Sequence, residues 1–175
     1  MLTTSEADYI IRPTEPNEAG QVIDYMKTIL SETSILSMDP EEFTFTVDEE
    51  IAVIKKYGQS VNMLMLSAIY KGEIIGMLTY GGGSRRRNKH TGVVGLSVKK
   101  EHWGQGIGGQ LLTDLFDWAK NNGVTKKINL GVREDNHRAI ELYNRLGFKV
   151  YGKESMAQKT DGRYYSNLLM EKLID

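Results

Sequence analysis

Four glycines crowd into one short stretch, Trp103-Gly104-Gln105-Gly106-Ile107-Gly108-Gly109. Glycine lacks Cβ, so its backbone can approach an anion closely. Where such a turn opens a helix, the first free N–H groups and the helix dipole both favour a phosphate. The turn follows a β-rich run ending at Val98 and precedes a run in which Leu111, Leu112, Leu115, Phe116 and Ala119 recur at helical spacing. A phosphate-bearing ligand is the expectation. A tight turn that holds nothing is the bland alternative.

Gly104, Gly106 and Gly109 also satisfy G-x-G-x-x-G, with Glu134 and Asp135 downstream as ribose ligands, which would suit a dinucleotide-binding oxidoreductase. Three features weigh against it. Lys99 to Trp103 separate the strand from the first glycine, the turn lies past mid-chain, and too little sequence follows for a second βαβ half.

Other chemistries are narrowed by composition. There are no cysteines, and the three histidines, His90, His102 and His137, form no HxxxH or HExxH pair, so no metal site is expected. A net charge of −1 argues against wholesale nucleic-acid binding. The basic run Ser84-Arg85-Arg86-Arg87-Asn88-Lys89-His90 reads as a solvated hairpin tip. No apolar run reaches the roughly 20 residues of a membrane helix, and MLTTSEADYI has neither the basic nor the apolar region of a signal peptide. A cytoplasmic protein with no membrane partner is expected.

The elements that must position the turn follow from periodicity. Tyr9 to Arg12 reads as a strand closed by Pro13, and Glu18 to Leu30 as a helix with Val22, Met26 and Ile29 on one side. Thr46 and Glu49 make a capping box for a second helix that Gly58 stops. Residues 62–70, 74–80 and 91–98 read as three consecutive antiparallel strands, the first two joined by Lys71-Gly72-Glu73. A helix over 108–122, a strand over 127–132, a helix over 136–146 and strands over 148–155 and 164–173 complete the order. No linker, repeat or low-complexity tract divides the 175 residues, so one α+β domain is expected.

A second pattern lies downstream of the glycines: Asn136-x-x-Ala139-x-x-Leu142-Tyr143-x-x-x-Gly147-Phe148. Together with Trp103-Gly104-Gln105-Gly106-Ile107-Gly108 it resembles the GCN5-related N-acetyltransferase (GNAT) superfamily, most strongly over residues 90–148. That family's first pattern is [Gln/Arg]-x-x-Gly-x-[Gly/Ala], and Trp103 stands where Gln or Arg is usual. The second is met at every position. The resemblance implies the acyl-CoA N-acyltransferase fold: a mostly antiparallel six- to seven-stranded sheet splayed between strands four and five and flanked by about four helices. It also implies acetyl transfer from acetyl-CoA to a primary amine by direct attack in a ternary complex, in the manner of ribosomal-protein or amino-acid N-acetyltransferases.

By the same resemblance, pantetheine lies along Leu96, Ser97 and Val98, and the amides of Gln105, Gly106, Ile107, Gly108 and Gly109 take the pyrophosphate. Lys99 and Lys100 are the candidates for the 3′-phosphate. Asn136 both caps its helix and offers an amide to the cofactor, with Ala139 beside it, and cap alone is the alternative. Tyr143 protonates the leaving thiolate, its phenol being close in acidity to a thiol, or else is a core tyrosine. Relatives often place a general-base Glu early in strand four, where this chain has Gly92 and Val93. His90, Glu134 and a water wire are substitutes, and none is assigned. The missing Glu leaves a noncatalytic acyl-CoA-binding module as the rival. Met38, Phe43 and Phe45 in the linker line an acceptor pocket or belong to the core. The acceptor amine and a homodimeric state are left open.

Overall fold

A computed structural model describes residues 8–175. Its strands are β1 (Tyr9–Pro13), β2 (Met63–Tyr70), β3 (Glu73–Gly82), β4 (Thr91–Val98), β5 (Lys127–Arg133), β6 (Lys149–Thr160) and β7 (Arg163–Leu173). The helices are α1 (Ala19–Glu32), α2 (Val47–Gln59), α3 (Ile107–Asn121) and α4 (His137–Arg145). All strands join one sheet in the order β1-β2-β3-β4-β5-β7-β6, antiparallel except where β4 meets β5. This is the expected α+β architecture.

Local chemistry sets the boundaries. The Thr46 hydroxyl accepts from the Glu49 amide at 3.3 Å while a Glu49 carboxylate oxygen accepts from the Thr46 amide at 2.8 Å, so α2 starts on the capping box the sequence shows. The largest departure is at the C-terminal hairpin. Residues 156–163 read as a loop between two strands, whereas β6 runs to Thr160 and turns at Asp161 and Gly162, both at positive φ (49° and 76°). Such a two-residue turn matches the strand twist, and the register shift between Glu154 and Gln158, with Met156 at φ 55°, carries the strand past its irregular stretch.

Apolar alternation gives the sheet two buried faces. On one, α3 packs through Leu111, Leu112, Leu115 and Phe116, and α4 through Tyr143, in a cluster with Leu78, Val94, Ile128 and Leu130. On the other, α1 and α2 pack through Val22, Tyr25, Ile29 and Ile54 against Met65 and Met77.

The parallel β4–β5 pair lasts only three residues, Thr91–Val93 against Lys127–Asn129. Antiparallel pairing of β4 with β3 continues unbroken to Val98, and of β5 with β7 to Arg133. The sheet is therefore split from Val94 onward. The carbonyl of Thr91 accepts from Gly83 on the β3 side, and that of Gly92 from Asn129 on the β5 side. By alternation, the peptide groups of Val94, Leu96 and Val98 point into the split, where no strand pairs with them.

Candidate active site

The glycine turn closes the open end of β4. Gly104 and Gly106 both sit at positive φ (80° and 79°), and a Cβ at either would meet nothing within 4 Å. Glycine is required there by backbone conformation and not by crowding. Gly106 is the N-cap of α3, whose first intrahelical bond runs from the Gln110 amide to the Gly106 carbonyl at 3.0 Å. The amides of Ile107, Gly108 and Gly109 are thus left without intrahelical partners. At Gly108, a Cβ would lie 3.4 Å from both Leu142 and Leu96, so α3, α4 and β4 converge closely.

A cavity of about 560 Å³ runs from this turn into the split. Leu96, Ser97, Val98, Trp103, Gly104, Gly106, Ile107, Gly108, Gly109, Asn136, Ala139 and Tyr143, all singled out by the sequence, line it. Gln105 does not, its side chain being exposed. Lys99 and Lys100 also lie off its wall, with the Lys99 ammonium 3.9 Å from Glu73.

Trp103 has a defined task. Its indole N–H donates to the Val98 carbonyl at 2.8 Å, occupying one of the peptide groups that faces the split. The Arg138 guanidinium stands over the indole ring, 4.6 Å from its centroid, and joins none of the ion pairs among the described residues. Arg138 lines the same cavity. A planar cation is thereby held beside the position where the family pattern has Gln or Arg. The sequence reading missed Arg138; its place two residues after Asn136, on the helix that faces the turn, was the signal.

On α4, the Asn136 side-chain oxygen accepts from the Ala139 amide at 3.3 Å, which is the helix cap; the residue lines the cavity, and its NH2 group bonds no protein group among the described residues. Tyr143 is buried and packs edge-on against Phe148 with centroids 5.6 Å apart. Its hydroxyl bonds no protein group among the described residues and reaches the cavity. Burial pushes the phenol up to about 12. Tyr143 is therefore a weaker acid than a free phenol and stays protonated at neutral pH.

The opposite wall is formed by α1 and the following linker, through Ile29, Glu32, Thr33, Ile35 and Leu36. Met38 and Phe45 are exposed, and Phe43 packs on Phe45 at 5.3 Å, so these residues form neither the cavity wall nor the core. The base candidates fare no better. At Gly92 a Cβ would stand 2.4 Å from the Gly81 carbonyl oxygen and 2.6 Å from the Tyr80 ring, which leaves no room for a side chain. The His90 carbonyl accepts from the Lys126 and Lys127 amides at the closed end of the β4–β5 pair. Glu134 is occupied by Lys153 at 2.7 Å and the Ser166 amide at 3.2 Å, and the Lys153 ammonium holds its carboxyl below the usual range.

A split sheet whose open strand ends on a glycine turn at a helix N-terminus is the arrangement the sequence patterns imply, and the comparisons agree with it. The acetyltransferase (GNAT) family model matches residues 30–148. The chain belongs to that family of N-acetyltransferase enzymes. It is 40% identical over 57 residues to an uncharacterised N-acetyltransferase, YobR, of Bacillus subtilis, a match spanning 33% of this chain and 23% of that one. It is 26% identical over 108 residues to the L-amino acid N-acetyltransferase AaaT of Escherichia coli, covering 62% and 67% of the two chains. A GNAT acetyltransferase from Streptococcus pneumoniae superposes with a TM-score of 0.92 at 28% identity, covering 95% of this chain and 99% of that one. The acetyltransferase yncA of Salmonella typhimurium, solved with acetyl-CoA, shares the fold with a TM-score of 0.84 at 21% identity over 97% and 95% of the chains. Among the described residues no helix is long and apolar enough to cross a membrane, and no group of three metal-ligating side chains gathers.

Proposed function

We propose that the chain transfers the acetyl group of acetyl-CoA to a primary amine, on a protein N-terminus, an amino acid or a small molecule. One observation carries this reading: the unpaired half of β4, the glycine turn and the Tyr143 hydroxyl all open into a single cavity. The residues fit a phosphate-bearing thioester, because free amides, a cation and an unpaired strand edge lie along one path. The named activity of the Escherichia coli relative points the same way.

Acetyl-CoA supplies the activated acetyl group as co-substrate. The Leu96 peptide group and the Val98 N–H offer strand-like hydrogen bonds to pantetheine, the Val98 carbonyl being held by Trp103. The amides of Ile107 to Gly109 hold the pyrophosphate, with Arg138 adding positive charge. Asn136 turns its free NH2 toward the pantetheine arm. Tyr143 donates a hydrogen bond where thiolate charge develops and gives up its proton only as that charge matures, since its own acidity is low.

The test measures thiol release from acetyl-CoA with free L-amino acids, L-amino acid amides, a peptide with a free N-terminus, and spermine, across roughly pH 6 to 9, the range in which general acid–base groups titrate. Turnover on one class supports the reading. The crowding at Gly92, which excludes a carboxylate, favours a second one, a noncatalytic acyl-CoA-binding module. Acetyl-CoA binding with no turnover on any amine would establish it. Thermal stabilisation by NAD but not by acetyl-CoA would overturn both.

A further inference from the structure

Acetyl transfer to an amine requires a group that takes protons from nitrogen, and neither His90 nor Glu134 lines the cavity. Two carboxylates do, Glu32 and Glu141. Glu141 lies on α4 within one turn of Arg138 and of Arg145, on the wall that carries the glycine turn. Glu32 is on the other wall.

Glu32 ends α1, on the helix face that also carries Tyr25 and Ile29. Ile29 is buried and borders the cavity, and the Tyr25 hydroxyl shares a hydrogen bond of 2.9 Å with the Ser97 hydroxyl on the open half of β4. One Glu32 oxygen accepts from the Lys100 amide at 2.9 Å, which pins the carboxylate against the end of β4. Its other oxygen engages no group among the described residues. Burial above all drives the Tyr25 phenol upward, the hydrogen bonds with Ser97 and Met77 oppose it, and the Glu32 charge adds a smaller push upward. The Tyr25–Ser97 bond thus ties α1 to the open half of β4, and Glu32, further along α1, borders the cavity from the wall opposite Tyr143.

We propose that Glu32 is the general base, its free oxygen accepting protons from the acceptor amine; the proposal rests on the transferase reading above. The incoming ammonium gives one proton through Glu32 to solvent, and the free amine attacks the thioester carbon. The C–N bond forms and the C–S bond breaks, sulfur keeping the electron pair. Sulfur takes the Tyr143 proton, and the second proton shed by nitrogen leaves through Glu32 and restores the tyrosine by way of solvent. The balance is one ammonium and one acetyl-CoA to one amide, one thiol and one proton.

Other titratable groups line the same cavity, His102 from the turn and Arg138, Glu141, Tyr143 and Arg145 on α4, while Tyr25 is buried on α1 and Lys100 meets Glu32 through its backbone amide. A pH profile alone does not single out Glu32, so a pair of variants is needed. Glu32→Gln keeps an oxygen for the Lys100 amide but cannot take a proton, whereas Glu32→Ala loses both roles. For the best acceptor of the amine panel, kcat/KM is measured against pH, together with the acetyl-CoA Kd and Tm. Glu32→Gln should hold its Tm and acetyl-CoA Kd while kcat/KM near neutral pH falls on the order of 100-fold. Its rate should then climb with pH as the free-amine fraction grows. Glu32→Ala should lose the same activity and some Tm. An unchanged kcat/KM in Glu32→Gln, or a loss matched by an equal loss of acetyl-CoA affinity, overturns the assignment. Absence of turnover in the unaltered protein while acetyl-CoA binds defeats the transferase reading instead.

Discussion

Across the cavity, the α3–α4 wall combines backbone, the amides of Ile107 to Gly109 behind the positive φ angles of Gly104 and Gly106, with the side chains of Asn136, Arg138 and Tyr143. The α1 wall offers side chains, Ile29, Glu32, Thr33, Ile35 and Leu36, on a helix end and a linker. On the proposed reading, the amides recognise what every acyl-CoA shares, the phosphates and the pantetheine strand. A wall of side chains changes with each substitution and can be matched to one acceptor. The proposed function thus divides donor recognition and acceptor recognition between two parts of one fold.

The sharpest way to break this contrast is at Tyr143, the side chain on the donor wall assigned to chemistry. Tyr143→Phe keeps the ring against Phe148 and removes only the hydroxyl, which has no protein partner to lose. Turnover at saturating substrates should fall on the order of 100-fold, the usual worth of a positioned acid. The acetyl-CoA Kd and the Tm should stay put. Wild-type kcat in this variant would return Tyr143 to the role of a core tyrosine.

Gly106→Ala tests whether the backbone wall works through its geometry. The added methyl meets nothing within 4 Å, so any effect comes from the φ of 79° that an L-residue resists. That resistance is about 1–2 kcal/mol. It lowers the Tm where the turn keeps its shape. Where the free turn relaxes to escape it, the cost returns on binding as up to a roughly 5- to 30-fold rise in acetyl-CoA Kd by titration calorimetry. The acceptor KM, set by the other wall, should move much less.

Legibility in the sequence follows the same division. The donor wall was readable because a positive-φ turn demands glycine and a helix cap demands Asn, so conformation constrains residue type at Gly104, Gly106 and Asn136. The acceptor wall was not. Met38, Phe43 and Phe45 looked like lining because apolar residues usually are buried, yet the linker turns them outward and presents Ile35 and Leu36. Glu32 was invisible because its significance arises from a contact with Lys100, 68 residues away in the chain. Most element ends fell within two residues of their expected places, and the exception, β6, depends on an Asp161-Gly162 turn read as open loop.

A smaller effect is expected at Arg138, where a side chain reinforces the backbone wall. Arg138→Ala removes an exposed cation stacked on Trp103, worth about 0.5–1 kcal/mol at such a site. The acetyl-CoA Kd should rise two- to fivefold by roughly that energy, and the difference should shrink at high salt because an exposed charge is screened. Trp103→Phe keeps a ring for Arg138 but frees the Val98 carbonyl, so its loss should persist at high salt. Equal salt dependence of the two variants would show that Trp103 acts only as a platform.

The smallest effect concerns the stability of the α1–α2 side. Glu50 on α2 is 5% exposed, and burial pushes its carboxyl above the usual range. A carboxyl raised in the folded state binds its proton more tightly there than in the unfolded chain. Its contribution to stability is therefore fully present below the unfolded carboxylate value, about 4.3, and is lost as pH rises through the folded value. Glu50→Gln removes that dependence. Its Tm should exceed that of the unaltered protein at neutral pH, and the gap should close as pH falls through the carboxylate range. A gap that stays constant with pH would mean that packing, and not ionisation, distinguishes the two side chains. A lower Tm for Glu50→Gln at neutral pH would mean that the ionised carboxylate is stabilised where it stands, by Tyr57 or a neighbour on α1, and that this side of the sheet tolerates a buried charge.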